Sequence, residues 1–176
     1  MELVEGDIRE VVARLEPATF DAVVCTEVLY TIPRPQELLG AFARLLRPGG
    51  ALIASHRTRY YMLSTLARFH RFTDMDVVVR QSEGEILGQY FNWFDEDDLH
   101  HLYAEGGLKI RIMEGIGTVS GTGVDGLAAM LDPVDLNEAE RRQLLRIENE
   151  CARRYRDIAR YRLVVATRDM KDVGRL

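Results

Sequence analysis

The chain has 176 residues, 47% hydrophobic and 29% charged, enough apolar material for one domain with a core, which excludes disorder along its whole length. Twenty-three Lys and Arg against 28 Asp and Glu give a net charge of −5 with no long basic run, which argues against a dedicated nucleic-acid binder. The acidic opening Met1-Glu2-Leu3-Val4-Glu5-Gly6-Asp7 is unlike a secretion signal, and no apolar run approaches the ~18 residues that span a bilayer, so a cytoplasmic protein without a membrane partner is expected. Cys25 and Cys151 are too few for a disulfide framework or a cysteine metal site and read as buried thiols; no metal is expected.

Without a repeat or a Pro/Gly/Ser linker, residues 1–176 read as a single domain. Asp7 stands where it would cap a short helix over Ile8–Leu15. Phe20-Asp21-Ala22-Val23-Val24-Cys25 is short, apolar and β-branched, which suits a parallel strand buried on both faces. From Gln36, the residues Leu38, Leu39, Phe42, Leu45 and Leu46 fall on one helical stripe, stopped by Pro48-Gly49-Gly50 before the strand Ala51–Ser55. This strand–helix–strand order predicts a crossover in a mostly parallel sheet, with ligands at the carboxyl ends of its strands.

Tyr60–Phe72 looks helical, and Thr73 with Asp76 suggests a capping box for a further helix. Glu85–Trp93 reads as extended, though its alternation is imperfect. Asp95, with Asp98 at the third helical position, opens a helix with Leu99, Leu102 and Tyr103 inside, ended by Gly106-Gly107. From Leu108 a strand alternates Leu108, Ile110 and Ile112 against Lys109, Arg111 and Met113. Asn137 with Glu140 opens a long charged helix whose expected buried stripe is Leu144, Ile147, Cys151, Tyr155 and Ile158, and Tyr161–Thr167 forms the last strand.

Three segments together, Glu5-Gly6-Asp7-Ile8, Phe20-Asp21-Ala22-Val23-Val24 and Leu46-Arg47-Pro48-Gly49-Gly50-Ala51-Leu52, resemble in order and spacing the later motifs of class I methyltransferases that use S-adenosylmethionine. A weaker likeness extends through Asn92-Trp93-Phe94-Asp95 and Arg162-Leu163-Val164-Val165-Ala166. The resemblance implies a Rossmann-like α/β fold whose last strand enters antiparallel beside the fifth, and methyl transfer from S-adenosylmethionine to a small-molecule acceptor. The family's first strand and acidic Gly-x-Gly loop would precede Glu5, so an N-terminally truncated fold is expected, short by roughly 60 residues. A cut sheet edge then predicts a homodimer or a partner that completes the sheet, and a non-catalytic interaction module is the alternative function.

On that resemblance Asp7 would accept from the adenine amino group and the Ile8 backbone would meet the ring edge; as a rival reading Asp7 only caps its helix. Cys25, Thr26 and Glu27 lie at the carboxyl end of a strand and are the remaining cofactor-binding candidates. Glu27 is also a candidate general base, against the plainer role of a carboxylate at a helix start. His56 is the second catalytic candidate; with Arg57, Tyr60 and Tyr61 it opens the segment 56–94, an insertion expected to cover the acceptor side together with the loop 115–126. Tyr30 and Trp93 complete the acceptor-side candidates, Trp93 being of a type more often core than pocket wall but placed, just before a helix in the insertion, where either role fits. Gly121-Thr122-Gly123-Val124-Asp125-Gly126 matches the dinucleotide pattern, but Pro133 follows too soon for the crossover helix such a fingerprint opens.

Overall fold

The computed structural model describes residues 3–120 and 133–168. The Gly121–Gly126 pattern, and with it half of the expected acceptor-side loop, lies outside them.

Helix α1 (Ile8–Arg14) begins at Asp7, whose Oδ1 accepts from the Arg9 amide at 2.9 Å. Strand β1 (Phe20–Cys25) passes through a 3₁₀ turn (Leu29–Thr31) and α2 (Pro35–Leu45) to its parallel partner β2 (Leu46–Arg57). Proline at the first position of α2 costs no hydrogen bond, and the apolar stripe Leu38, Leu39, Phe42 and Leu45 is buried as its spacing predicts. The Pro-Gly-Gly segment, however, lies within β2 rather than before it. Phe20 pairs with Leu46 and Ala22 with Ala51, so two residues along β1 oppose five along β2, and the turn is a large bulge in a continuous ladder. Gly49 there has φ of 82°, and a Cβ on Gly50 would stand 3.0 Å from the carbonyl oxygens of Asp21 and Arg47.

After β2 come α3 (Arg59–Arg68), α4 (Phe72–Arg80) and a hairpin of β3 (Glu83–Ile86) with β4 (Gln89–Asn92). The expected Thr73–Asp76 box does not form: the Arg71 amide turns back to the Leu66 carbonyl at 2.9 Å, so α4 starts at Phe72, and Asp76 pairs with Arg80 instead. The extended stretch is broken by Leu87-Gly88, whose φ values of 56° and 74° make the tight turn. Helix α5 (Glu96–Glu105) carries the Asp95/Asp98 capping box, and α6 (Glu138–Arg154) the Asn137/Glu140 box. They flank β5 (Leu108–Ile116), and β6 (Tyr161–Arg168) follows α6.

The main sheet has the order β1-β2-β6-β5. Strand β6 runs antiparallel to both neighbours, so the other three strands point one way and the last is reversed: a Rossmann-like methyltransferase arrangement. Its core packs α2 and α5 on the sheet through Leu39, Phe42, Leu52, Leu99, Tyr103 and Val164, while Met62, Leu66, Val78, Ile86 and Trp93 form a separate cluster after β2.

Three burial expectations are corrected. In β1, Phe20 and Val24 are exposed, Val24 at 65%, because β1 is the edge strand of the described sheet rather than a central one. In β5 the alternation fails at Ile112, which is 45% exposed, because the register shifts between Ile110 and Ile112 and turns the following side chains over. In α6, Leu144, Ile147 and Cys151 are half-buried, but Tyr155 and Ile158 are exposed because the helix stops at Arg154 and its stripe ends there. Among the described residues no helix is long and apolar enough to cross a membrane.

Candidate active site

Parallel strands leave their carboxyl ends on one edge, and the reversal of β6 brings its first residue to that same edge. Arg57, the last residue of β2, pairs with Tyr161, the first of β6. Two residues beyond β1, Glu27 takes a left-handed φ of 63° and its amide donates to Ser55 Oγ at 2.9 Å. A non-glycine residue rarely adopts that conformation, and the bond to buried Ser55 holds it there.

The carboxylate of Glu27 accepts from the Tyr30 hydroxyl at 3.1 Å and, through the same Oε2, from the Tyr161 hydroxyl. Arg57 Nη2 stands 3.9 Å from that oxygen and donates to the Tyr30 hydroxyl at 3.4 Å. The guanidinium lies 4.7–4.9 Å from the ring centres of Tyr30, Tyr61 and Tyr161, an aromatic cage for a cation. Burial, followed by the bond to Glu27, pushes the Tyr161 hydroxyl up, so it stays protonated and donates. Tyr30 is also stacked on Phe91 at 6.3 Å, and buried Asn92 donates to the Leu29 carbonyl at 2.9 Å, which ties the hairpin to the 3₁₀ turn.

Of the candidates read from the sequence, Glu27, Tyr30, Arg57 and Tyr61 come together here. Thr26 is exposed beside them and Cys25 is buried, where loss of solvent pushes its thiol up to about 11. Asp7 caps α1, and Ile8 packs on the main core.

Three candidates lie elsewhere. His56 is 1% exposed, with Nε2 2.9 Å from the Tyr103 hydroxyl. Burial and then the charge of Arg162 push its pKa down to about 3. Adjacent residues of a strand face opposite sides, so the position that delivers Arg57 to the site sends His56 into the core, and this geometry gives His56 no catalytic contact. Tyr60 is exposed on another wall of α3, beside Arg59, Asp95 and Arg162. Trp93 is fully buried and its Nε1 donates to the Gln81 carbonyl at 2.6 Å, so it is core rather than pocket wall.

Tyr161 is the residue that sequence reasoning missed. A signal was present: a last strand that starts at Tyr161 and runs antiparallel beside the fifth must place its first residue at that strand's carboxyl end. Ser55 and Phe91 gave no comparable signal.

Comparison with known proteins bears on this edge. The methyltransferase domain family matches residues 1–54, which include Asp7, the Glu27 turn and the Pro-Gly-Gly bulge. That match supports a class I S-adenosylmethionine-dependent methyltransferase. Ubiquinone biosynthesis O-methyltransferases are among its relatives: the one from Methylococcus capsulatus is 29% identical over 70% of this chain and 54% of its own length, and that from Burkholderia multivorans 28% over 57% and 56%. The chain thus spans about half the length of these curated relatives. Among solved structures, a methyltransferase from Methanosarcina mazei superposes with a TM-score of 0.54 at 13% identity, over 90% of this chain and 63% of that one. One from Mesorhizobium loti gives 0.52 at 13%, over 88% and 65%, and both show the shared fold.

The cofactor of this methyltransferase family is S-adenosylmethionine, and the chemistry of the edge fits its methyl-donating end. A sulfonium is a cation, and Glu27 offers a half-exposed carboxylate at the strand terminus where such folds gather ligands. Asp7 caps α1 through Oδ1 and is exposed.

Proposed function

We propose that the protein transfers a methyl group from S-adenosylmethionine to an oxygen of a small molecule, and that residues 56–94 form the acceptor side of one methyltransferase-like domain. The observation that carries this reading is the convergence of Glu27, Tyr30, Arg57 and Tyr161 at one strand edge. S-adenosylmethionine supplies an electrophilic methyl group on a positively charged sulfur, so alignment of the acceptor contributes more than strong acid–base chemistry.

Glu27 takes the proton that an acceptor hydroxyl gives up, and the phenols of Tyr30 and Tyr161 fix the carboxylate in one rotamer. Arg57 and the rings around it exclude water from that side. Thr26 and the strand end at Cys25 border the methionine portion, and Asp7 with the Ile8 backbone border the adenine. The names of the O-methyltransferase relatives support oxygen as the methylated atom. The exposed edge of β1, with Val24 uncovered, supports pairing with another strand, from a second copy or from a partner that completes the sheet.

Calorimetry with S-adenosylhomocysteine on the whole protein tests the reading. Binding that weakens in Asp7→Ala by roughly tenfold or more, the worth of one charge-assisted hydrogen bond, is expected. Absence of any binding to the whole protein, or an Asp7→Ala variant that only melts earlier, overturns the respective assignment.

A further inference from the structure

A cavity of about 440 Å³ opens beside the catalytic edge, between the end of β2, α3 and the β3–β4 hairpin, within the size range of small-molecule sites. Its wall is apolar, with Met62, Leu66, Ile86 and Phe91, and it continues onto Phe69 and Leu87, which are 62% and 67% exposed. Two polar residues interrupt that wall with atoms that find no partner among the described residues: Arg57 Nε and Thr65 Oγ1, both buried.

The charges of the lining are unequally satisfied. Arg71 is paired with Asp74 at 2.6 Å. Among the described residues the carboxylate nearest Arg57 is that of Glu27 at 3.9 Å, whose oxygen already accepts from two phenols, and Nη2 also donates to the Tyr30 hydroxyl at 3.4 Å. The three tyrosine faces stabilise the guanidinium without using up its N–H donors. A neutral apolar ligand would leave the buried Nε unsatisfied, whereas an anionic oxygen would meet a charge-assisted donor in a low-dielectric wall.

We propose that this cavity selects an acceptor built of an apolar body and a carboxylate, the carboxylate held by Arg57 and the body lying along Met62, Leu66, Ile86 and Phe91. The carboxylate is a recognition handle. The inference deepens the methyl-acceptor reading above and rests on it for the word acceptor, but the binding chemistry stands by itself.

Equilibrium dialysis of the whole protein with octanoate and with octanamide, in the absence of cofactor, tests it. Octanoate is expected to bind at least about tenfold more tightly than octanamide, the equivalent of one charge-assisted contact. That preference should disappear in Arg57→Gln while octanamide binding is unchanged. Should Arg57→Gln fail to fold, Thr65→Asp places a like charge in the wall and should abolish octanoate binding alone. Equal binding of the two probes, binding of neither, or a preference that survives Arg57→Gln overturns the proposal. Octanoate preference in a protein that ignores S-adenosylhomocysteine would sink methyl transfer and leave this inference intact; the converse result would do the reverse.

Discussion

His56 and Arg57 are consecutive on β2, yet they serve two regions with opposite rules. On the side of His56 the polar groups are sealed: the imidazole meets the Tyr103 hydroxyl, and the guanidinium of Arg162, opposite it on β6, donates to the Phe94 carbonyl at 2.8 Å and to Asp157 at 2.6 Å. On the side of Arg57 the polar groups are caged by aromatic rings but remain open to a cavity. The first arrangement mainly stabilises, because its bonds tie parts of the fold together, although His56 Nδ1 and Arg162 Nε stay buried there without a partner among the described residues. On the second side the residue with spare bonding capacity, Arg57, lines a cavity, and that combination is what a site needs.

Substitutions on the two sides should separate accordingly, ranked here by stability cost. His56→Ala leaves the Tyr103 hydroxyl buried without its partner and opens a void, so urea unfolding should show a loss of about 2–4 kcal/mol. The same site carries a pH signature. His56 titrates near 6.5 when unfolded and near 3 when folded, so between those values the unfolded chain binds a proton that the native one refuses. Stability contributed by the neutral ring is complete above about 6.5 and falls as pH drops toward 3. A His56→Gln protein that keeps the bond to Tyr103 should lose that slope, and an unchanged acid limb would show that His56 is not its source.

Arg57→Leu comes next, at about 1–2 kcal/mol, since it forfeits the cation–ring contacts with three buried tyrosines but leaves an apolar side chain packed among them. Glu148 provides a third measure, away from both sides: the amides of Thr118, Val119 and Ser120 and the Ser120 hydroxyl all donate to its carboxylate. Burial alone would push its pKa up, but these donors hold it below the ordinary value. Its contribution is therefore present above the ordinary carboxylate range and lost as pH falls through the lowered folded value, and Glu148→Gln should cost about 1 kcal/mol at neutral pH. Last in stability is Glu27→Gln, expected within ~0.5 kcal/mol of the parent because the site is half-exposed. Its methyl-transfer rate should fall by roughly 10²- to 10⁴-fold, and a retained rate would remove Glu27 from proton transfer.

The crossover and most helix starts were legible because their causes are local. Phe20–Cys25, the stripe of α2 and the boxes at Asp95 and Asn137 depend on residues a few positions apart, and the structure keeps all of them. What was not legible depends on distant partners. The α4 start is set by a bond to Leu66, the lost alternation of β5 by a register shift against β6, and the fate of Trp93 by a carbonyl at Gln81. Within the site, position at a strand end located Glu27, Tyr30, Arg57 and Tyr61. Face did not follow from position for His56, since a run such as Ser55-His56-Arg57 has no polarity contrast to say which side is the interior. Tyr161 needed two facts combined, the direction of the last strand and the residue at which it starts.

The bulge at Pro48-Gly49-Gly50 gives the alternation of His56 and Arg57 a fixed origin. If β2 slid by one residue, the cation would enter the core and the imidazole would face the cavity, an inversion with no intermediate setting. Gly50 blocks such a slide because its backbone sits against the carbonyls of Asp21 and Phe20 where no side chain fits. The turn therefore works like the index mark on a dial: tolerance for change lies downstream of Arg57, where loops can lengthen or be replaced, whereas between the bulge and Arg57 a single added residue would miscount every position that follows.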